Sequence, residues 1–167
     1  MRSLHLPAVC WIVALAACVT TLWAEEKLIE DESLGKITLQ LKADPLITSI
    51  GKPEGKGKDV MWEAIGEWVQ EWRYPAQGLK LNMGSEKQGG TKSVQSITAT
   101  APCKLATKKG IKIGSSIAEV TKAYKDVQDK EESVPGKTFV AGSVYGGVIF
   151  TFKDGAVVQI FVGAAAE

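Results

Sequence analysis

Few residues of this chain could act together chemically. A serine or cysteine nucleophile needs a base within reach, and His5, the single histidine, sits inside an N-terminal apolar stretch. Imidazole-assisted nucleophilic catalysis therefore has no base elsewhere in the chain. Lys112, Ser115 and Ser116 could form a Ser–Lys pair, but Ser116 has a structural role on offer. With Glu119 it has the S-x-x-E spacing of a capping box, in which each side chain accepts a backbone N–H near a helix start. Cys103 without a histidine does not supply a zinc centre. Asp126, Asp129, Glu131 and Glu132 lack the alternating ligands and central glycine of a calcium loop, and read as a solvated charge run. The Gly- and Lys-rich segment Lys52–Lys58 lacks the G-x-x-x-x-G-K-[ST] spacing of a phosphate loop and reads as an exposed cationic loop. The expectation is a protein that is not an enzyme, with no catalytic, cofactor-binding or metal-ligating residue.

Binding is the richer possibility. Trp62, Trp68, Trp72 and Tyr74 crowd into thirteen residues. Large aromatics either fill a core or, where a sheet leaves them exposed, anchor a partner. Read as strand, Trp68, Trp72 and Tyr74 share parity on one face, and these three are the expected partner-binding residues, with Glu67, Glu71 and Arg73 as a polar rim. A helical reading of Val60–Tyr74 instead makes Glu63, Glu67 and Glu71 a wet face.

Around these residues the ends set the compartment. Arg2 followed by the apolar run Leu6–Val19, closing at Ala24 before Glu25-Glu26, has the shape of a secretory signal. The run is short of the about 20 apolar residues that a membrane-spanning helix needs. Leu15-Ala16-Ala17-Cys18 also has the form of a lipobox, so cleavage after Ala24 and lipidation at Cys18 both stay open. Either one exports the protein, to the periplasm or the extracellular space, with an outer-membrane anchor if Cys18 carries lipid. Membrane attachment is expected only through that lipid or an uncleaved leader. The formal charge of the whole chain is +1. Losing the leader brings it to about zero, too little for a nucleic-acid footprint. About 140 residues then remain to build a core, with Cys103 as a buried small hydrophobe rather than a disulfide partner.

The elements follow from periodicity. Glu25–Ser33 is acidic and unpatterned, a tether. Ile37–Leu41 alternates as a short strand, and Asp44-Pro45 opens a short helix as N-cap and first-turn proline. Val60–Tyr74 is taken as a β-hairpin, because Gly66 costs a helix interior about 1 kcal/mol and aromatics favour strands. Strands follow at Leu79–Met83, Ser93–Ala99 and Thr138–Ala141. Val148–Phe152 and Ala156–Val162 flank Asp154-Gly155, a two-residue hairpin signal. Between them, Gly110–Tyr124 is a glycine turn and a capped helix whose apolar face is Ile117, Val120 and Tyr124.

Ile37, Leu39, Leu46 and Ile50 fall on Ile111, Ile113, Val120 and Tyr124 at one constant offset. This pattern predicts an α+β fold of two tandem repeats, each a short helix followed by an antiparallel β-meander. The divisions are a signal peptide over 1–24, a tether over 25–36, repeat 1 over 37–101 and repeat 2 over 102–167. The spacing Gly-Ile-x-Ile-Gly-x-Ser-x-x-x-Val-x-x-x-Tyr in an exported chain resembles the small outer-membrane lipoproteins of the barrel-assembly E type. The doubling resembles the tandem-repeat β-lactamase inhibitor protein. Both resemblances imply helices packed on an antiparallel sheet and a non-catalytic role in binding other proteins. The inhibitor's paired cysteines are absent, so an inhibitor role is not carried over. The expected function is thus a protein-interaction or scaffold module of a bacterial cell envelope, with another envelope protein as partner. An extracytoplasmic enzyme inhibitor or small hydrolase acting on an envelope component is the alternative.

Overall fold

Side chains of alternate parity on a strand point to opposite faces of its sheet, and this chain uses that rule eight times over. The computed structural model describes residues 31–165; the leader, Cys18 and residues 25–30 of the tether lie outside them. A two-stranded hairpin, β1 (Ser33–Leu34) and β2 (Ile37–Thr38), precedes helix α1 (Ala43–Ile50). Strands β3 (Gly55–Trp62), β4 (Glu67–Tyr74), β5 (Leu79–Ser85) and β6 (Ser93–Thr100) follow as a meander. After helix α2 (Ile117–Tyr124) come β7 (Gln128–Val134), β8 (Thr138–Ser143), β9 (Gly146–Lys153) and β10 (Ala156–Gly163). All eight of these longer strands join one antiparallel sheet in the order β3-β4-β5-β6-β10-β9-β8-β7. The seam is the pairing of β6 with β10, with Ala99 opposite Ile160, Thr98 opposite Phe161 and Ile97 opposite Val162.

This corrects the α+β expectation of two tandem repeats of short helix followed by antiparallel β-meander. Half of the described residues are strand, and the α-helices among them are two segments of eight residues. The architecture is mostly β, one continuous eight-stranded sheet over a single apolar core. The physical reason lies at the seam: β6 and β10 satisfy each other's backbone groups, and one core cluster draws on Leu81 and Ile97 as well as Val148 and Phe150.

Burial marks the faces. Trp72, Tyr74, Leu79, Leu81, Ile97 and Ile160 point into the core, where Leu46 of α1 and Val120 and Tyr124 of α2 cover them. The Tyr124 ring lies 5.1 Å from that of Phe150 in a tilted pair, which adds to the area both rings remove from water. Helix α2 starts as its sequence implies: Ser116 Oγ accepts from the Glu119 backbone N–H, and Glu119 Oε2 accepts from the Ser116 backbone N–H at 2.7 Å. Asp154 and Gly155 both have positive φ, as the tight β9–β10 turn requires. The Val60–Tyr74 hairpin is also present, as β3 and β4.

Other expectations give way. Asp44 is not the cap of α1; Lys42 holds that position without a side-chain bond, and Asp44 lies in the first turn, where its charge suits the helix dipole. The cationic loop over Lys52–Lys58 ends at Glu54, because Gly55–Lys58 is strand. The charge run after α2 is an edge strand, where exposed charges discourage pairing with another chain and Asp129 Oδ1 accepts the N–H groups of Glu131 and Glu132. Residues 31–36 are not a tether. Leu34 and Glu32 are buried, and the Glu32 carboxylate ties the β1–β2 hairpin to α2 and the loop before it.

Among the described residues, one buried side-chain polar atom has no partner: the Tyr74 hydroxyl, on a residue 1% exposed. Burial pushes its phenol up to about 12. A hydroxyl buried without a hydrogen bond gives up its hydration for nothing. Tyr74→Phe is accordingly expected to leave stability unchanged or to raise it by up to about 1 kcal/mol. A clear fall in the urea midpoint would mean that this hydroxyl has a partner.

Candidate functional site

Helices and the β1–β2 hairpin cover one face of the sheet; no described helix packs on the opposite, open face. The strand alternation that buries Trp72, Leu81 and Ile97 sends Glu71, Arg73, Lys80, Asn82, Ser96 and Thr98 to that open face. Phe161, opposite Thr98, joins them there.

The sequence-predicted anchors lie on the wrong side. Trp68, Trp72 and Tyr74 do share a face, but it is the one that packs inward. Trp72 and Tyr74 belong to the core, and Trp68 is half-buried beside the Lys92 ammonium. The Trp72 indole N–H donates to Gln70 Oε1 at 2.8 Å, and Lys56 Nζ stands 4.0 Å from its ring. Of the expected rim, Glu71 bridges Arg73 at 3.1 Å and Lys80 at 3.5 Å on the open face. Glu67 is held there by a 2.7 Å bond from Gln95 Nε2.

The open face has its own aromatic pair. At the end of the sheet where β3 turns into β4, the hairpin tip leans over the end of β10 and encloses a trough of about 490 Å3. Trp62, Ile65 and Phe161 are its apolar sides, with Ala164 and Ala165 at one end. Its floor is polar. Asn82 Nδ2–H donates to Ser96 Oγ at 3.1 Å, which leaves the Asn82 carbonyl oxygen and the Ser96 hydroxyl hydrogen without partners among the described residues. Gln95 uses both ends of its amide, accepting from Gln40 Nε2 at 3.1 Å while donating one N–H to Glu67. Gly84 makes this possible: a Cβ there would stand 2.1 Å from Glu67 Oε2, so only glycine lets the Gln95–Glu67 pair lie across the strand. A second, shallower hollow of about 710 Å3 continues along the same face between Arg73, Lys80, Thr98 and Gln159.

Sequence reasoning reached Trp62 but grouped it with the wrong partners, and it did not single out Phe161, Asn82 or Ser96. The alternation Leu79-Lys80-Leu81-Asn82-Met83 already placed Asn82 on a polar face; which strand would lie beside it was not readable from local pattern. The described residues contain no group of three or more His, Cys, Asp or Glu side chains that could hold a metal ion. Nor do they contain a helix long and apolar enough to cross a membrane. Cys103 is buried and has no disulfide partner among the described residues, and burial raises its thiol above the usual range despite a backbone hydrogen bond at Leu105. That environment favours the unreactive protonated form.

Fold and site together define a mostly β chain with one covered and one open sheet face. No protein-family model, curated protein or solved structure matches it.

Proposed function

We propose that this protein is a non-catalytic, exported protein-interaction or scaffold module that engages another cell-envelope protein through the open face of its sheet. The observation that carries this reading is the trough lined by Trp62 and Phe161 on a sheet face that no described helix covers. Interfaces draw their affinity from aromatic anchors set among polar groups with unused hydrogen-bonding capacity, and that combination is concentrated on this face. Export rests on the Arg2 and Leu6–Ala24 pattern, and the cell envelope as destination on the Leu15–Cys18 motif and the spacing resemblance.

The test uses a photoreactive amino acid at Ile65 or Lys80 on the open side, and at Lys122 on exposed helix α2 as the control. Crosslinking in intact cells is expected to give one discrete adduct from Ile65 and Lys80, and none from Lys122. An adduct from Lys122 alone, or none from any position, overturns the assignment of the open face.

A further inference from the structure

The trough has a composition that specifies its ligand more narrowly than the face as a whole. Among the described residues, Glu63 is the one charged side chain that lines it, and Glu63 stands exposed. That carboxylate disfavours an anion, and no described cation lines the trough to recruit one. Half-buried Trp62 and Phe161 are the aromatic residues that line it. The floor is a side-chain amide beside a hydroxyl, with one acceptor and two hydrogens unspent (Asn82 Oδ1, its second N–H and the Ser96 O–H). Ser96 is 6% exposed, and its Oγ is held in place by the bond it accepts from Asn82. Gly163 keeps that corner clear, since a Cβ there would come within 2.8 Å of the Ser96 side chain.

A ligand that satisfies all of this is neutral, has a flat C–H face for the aromatic walls, and carries adjacent hydrogen-bonding groups that both donate and accept. A pyranose sugar meets each requirement. Its axial C–H bonds meet the negative faces of aromatic rings, and its vicinal hydroxyls match a carboxamide–hydroxyl pair. The volume of about 490 Å3 lies within the usual range of ligand pockets. We infer that the trough is a binding site for a neutral pyranose unit of a glycan, held between Trp62 and Phe161 and hydrogen-bonded by Asn82 and Ser96. The inference rests on the open face being the binding surface, and it adds a ligand that the protein-interaction reading does not require.

The experiment is a residue-resolved NMR titration of the exported protein as isolated from cells. The probes are glucose, N-acetylglucosamine and their β-1,4-linked disaccharides, beside glucuronate and capped leucine and phenylalanine amides. The neutral sugars are expected to shift the Trp62 indole N–H, the Asn82 carboxamide and the Ser96 and Phe161 amides in a saturable manner. Glucuronate should bind at least threefold more weakly than glucose. Asn82→Ala and Trp62→Ala should each weaken the best sugar at least tenfold, while Lys122→Ala leaves it unchanged and the spectra of all three show the same fold. Shifts from the capped amides alone overturn the sugar assignment and return the trough to a protein side chain. No saturable shift from any sugar also overturns it. The crosslinking experiment above decides the open face separately, so failure here is distinguishable from failure there.

Discussion

Glu32→Ala is expected to lower the unfolding free energy by about 3–5 kcal/mol, measured by urea denaturation followed through tryptophan fluorescence. Glu32 is 2% exposed, and its carboxylate accepts three hydrogen bonds. Oε1 accepts the backbone N–H of Ser33 at 3.0 Å and that of Lys108 at 2.8 Å. Oε2 accepts the Tyr124 hydroxyl at 2.8 Å. Tyr124 in turn lies 2.9 Å from Thr107 Oγ1, which accepts the Ile111 N–H. Burial pushes the Tyr124 phenol far above its ordinary value, against the Thr107 hydrogen bond, and the Glu32 charge pushes it further up. The phenol therefore stays protonated, and a donor, at neutral pH. Alanine strands one buried donor, the Tyr124 hydroxyl, and two part-buried N–H groups, each costing up to about 1–3 kcal/mol, part of which entering water recovers. Glutamine is the discriminating variant. Its carbonyl can keep both backbone bonds while its amide donates to a Tyr124 oxygen turned toward Thr107, so Glu32→Gln should cost only about 1 kcal/mol. Equal losses for the two variants, or a loss under about 1 kcal/mol for alanine, would show that the carboxylate does not hold the β1–β2 hairpin in place.

Lys92→Met is expected to cost about 3–5 kcal/mol, because it leaves a carboxylate with little access to water and no cation. The Lys92 side chain is 7% exposed and that of Asp59 14%. The ammonium donates to Asp59 Oδ1, to the Trp68 carbonyl at 2.8 Å and to Ser85 Oγ at 2.9 Å, while Asp59 Oδ2 accepts the Gly89 N–H at 2.7 Å. The pair sits where β3, β4 and the β5–β6 loop converge, and the Lys92 carbonyl accepts the Ala43 N–H at the start of α1. Removing both charges together, as Asp59→Leu with Lys92→Met, should recover most of the loss, since a buried ion pair and a packed apolar pair differ little in net stability.

The pH dependence has a definite sign. Burial raises the Asp59 carboxyl, but the Lys92 hydrogen bond, the Gly89 N–H and the Lys92 charge outweigh it, and the net shift is downward. A carboxyl lowered on folding contributes stability that is fully present above its unfolded value of about 3.9 and is lost as pH falls through the folded value. Wild type should therefore lose this contribution only below about pH 4, and Asp59→Asn should abolish that part of the acid limb. An acid limb identical in the two proteins contradicts the assignment.

Neither network was visible in the sequence. Glu32 looks like part of an acidic leader-proximal run, and Lys92 like one more loop lysine between Thr91 and Ser93. Their partners lie 92 and 33 residues away, and only folding brings them together. The same holds for the trough. Trp62 and Phe161 come from the two ends of the sheet-forming chain, and their approach depends on β6 pairing with β10 and on the β3–β4 tip leaning across.

What the sequence determined alone is everything that depends on neighbours within a few residues. The Ser116–Glu119 box started α2, Asp154-Gly155 closed β9 on β10, and the alternation through Leu79–Met83 separated a core face from a polar one. Cys103 was legible as a buried hydrophobe because no partner cysteine exists in the described chain. Tertiary structure alone decided which face the aromatic trio would occupy. Parity states that Trp68, Trp72 and Tyr74 lie together; it does not state whether helices will cover them. Leu46, Val120 and Tyr124 settled that by packing over their side, since burying the larger apolar face removes more surface from water. The opposite side, with Asn82, Ser96 and Phe161, was left open.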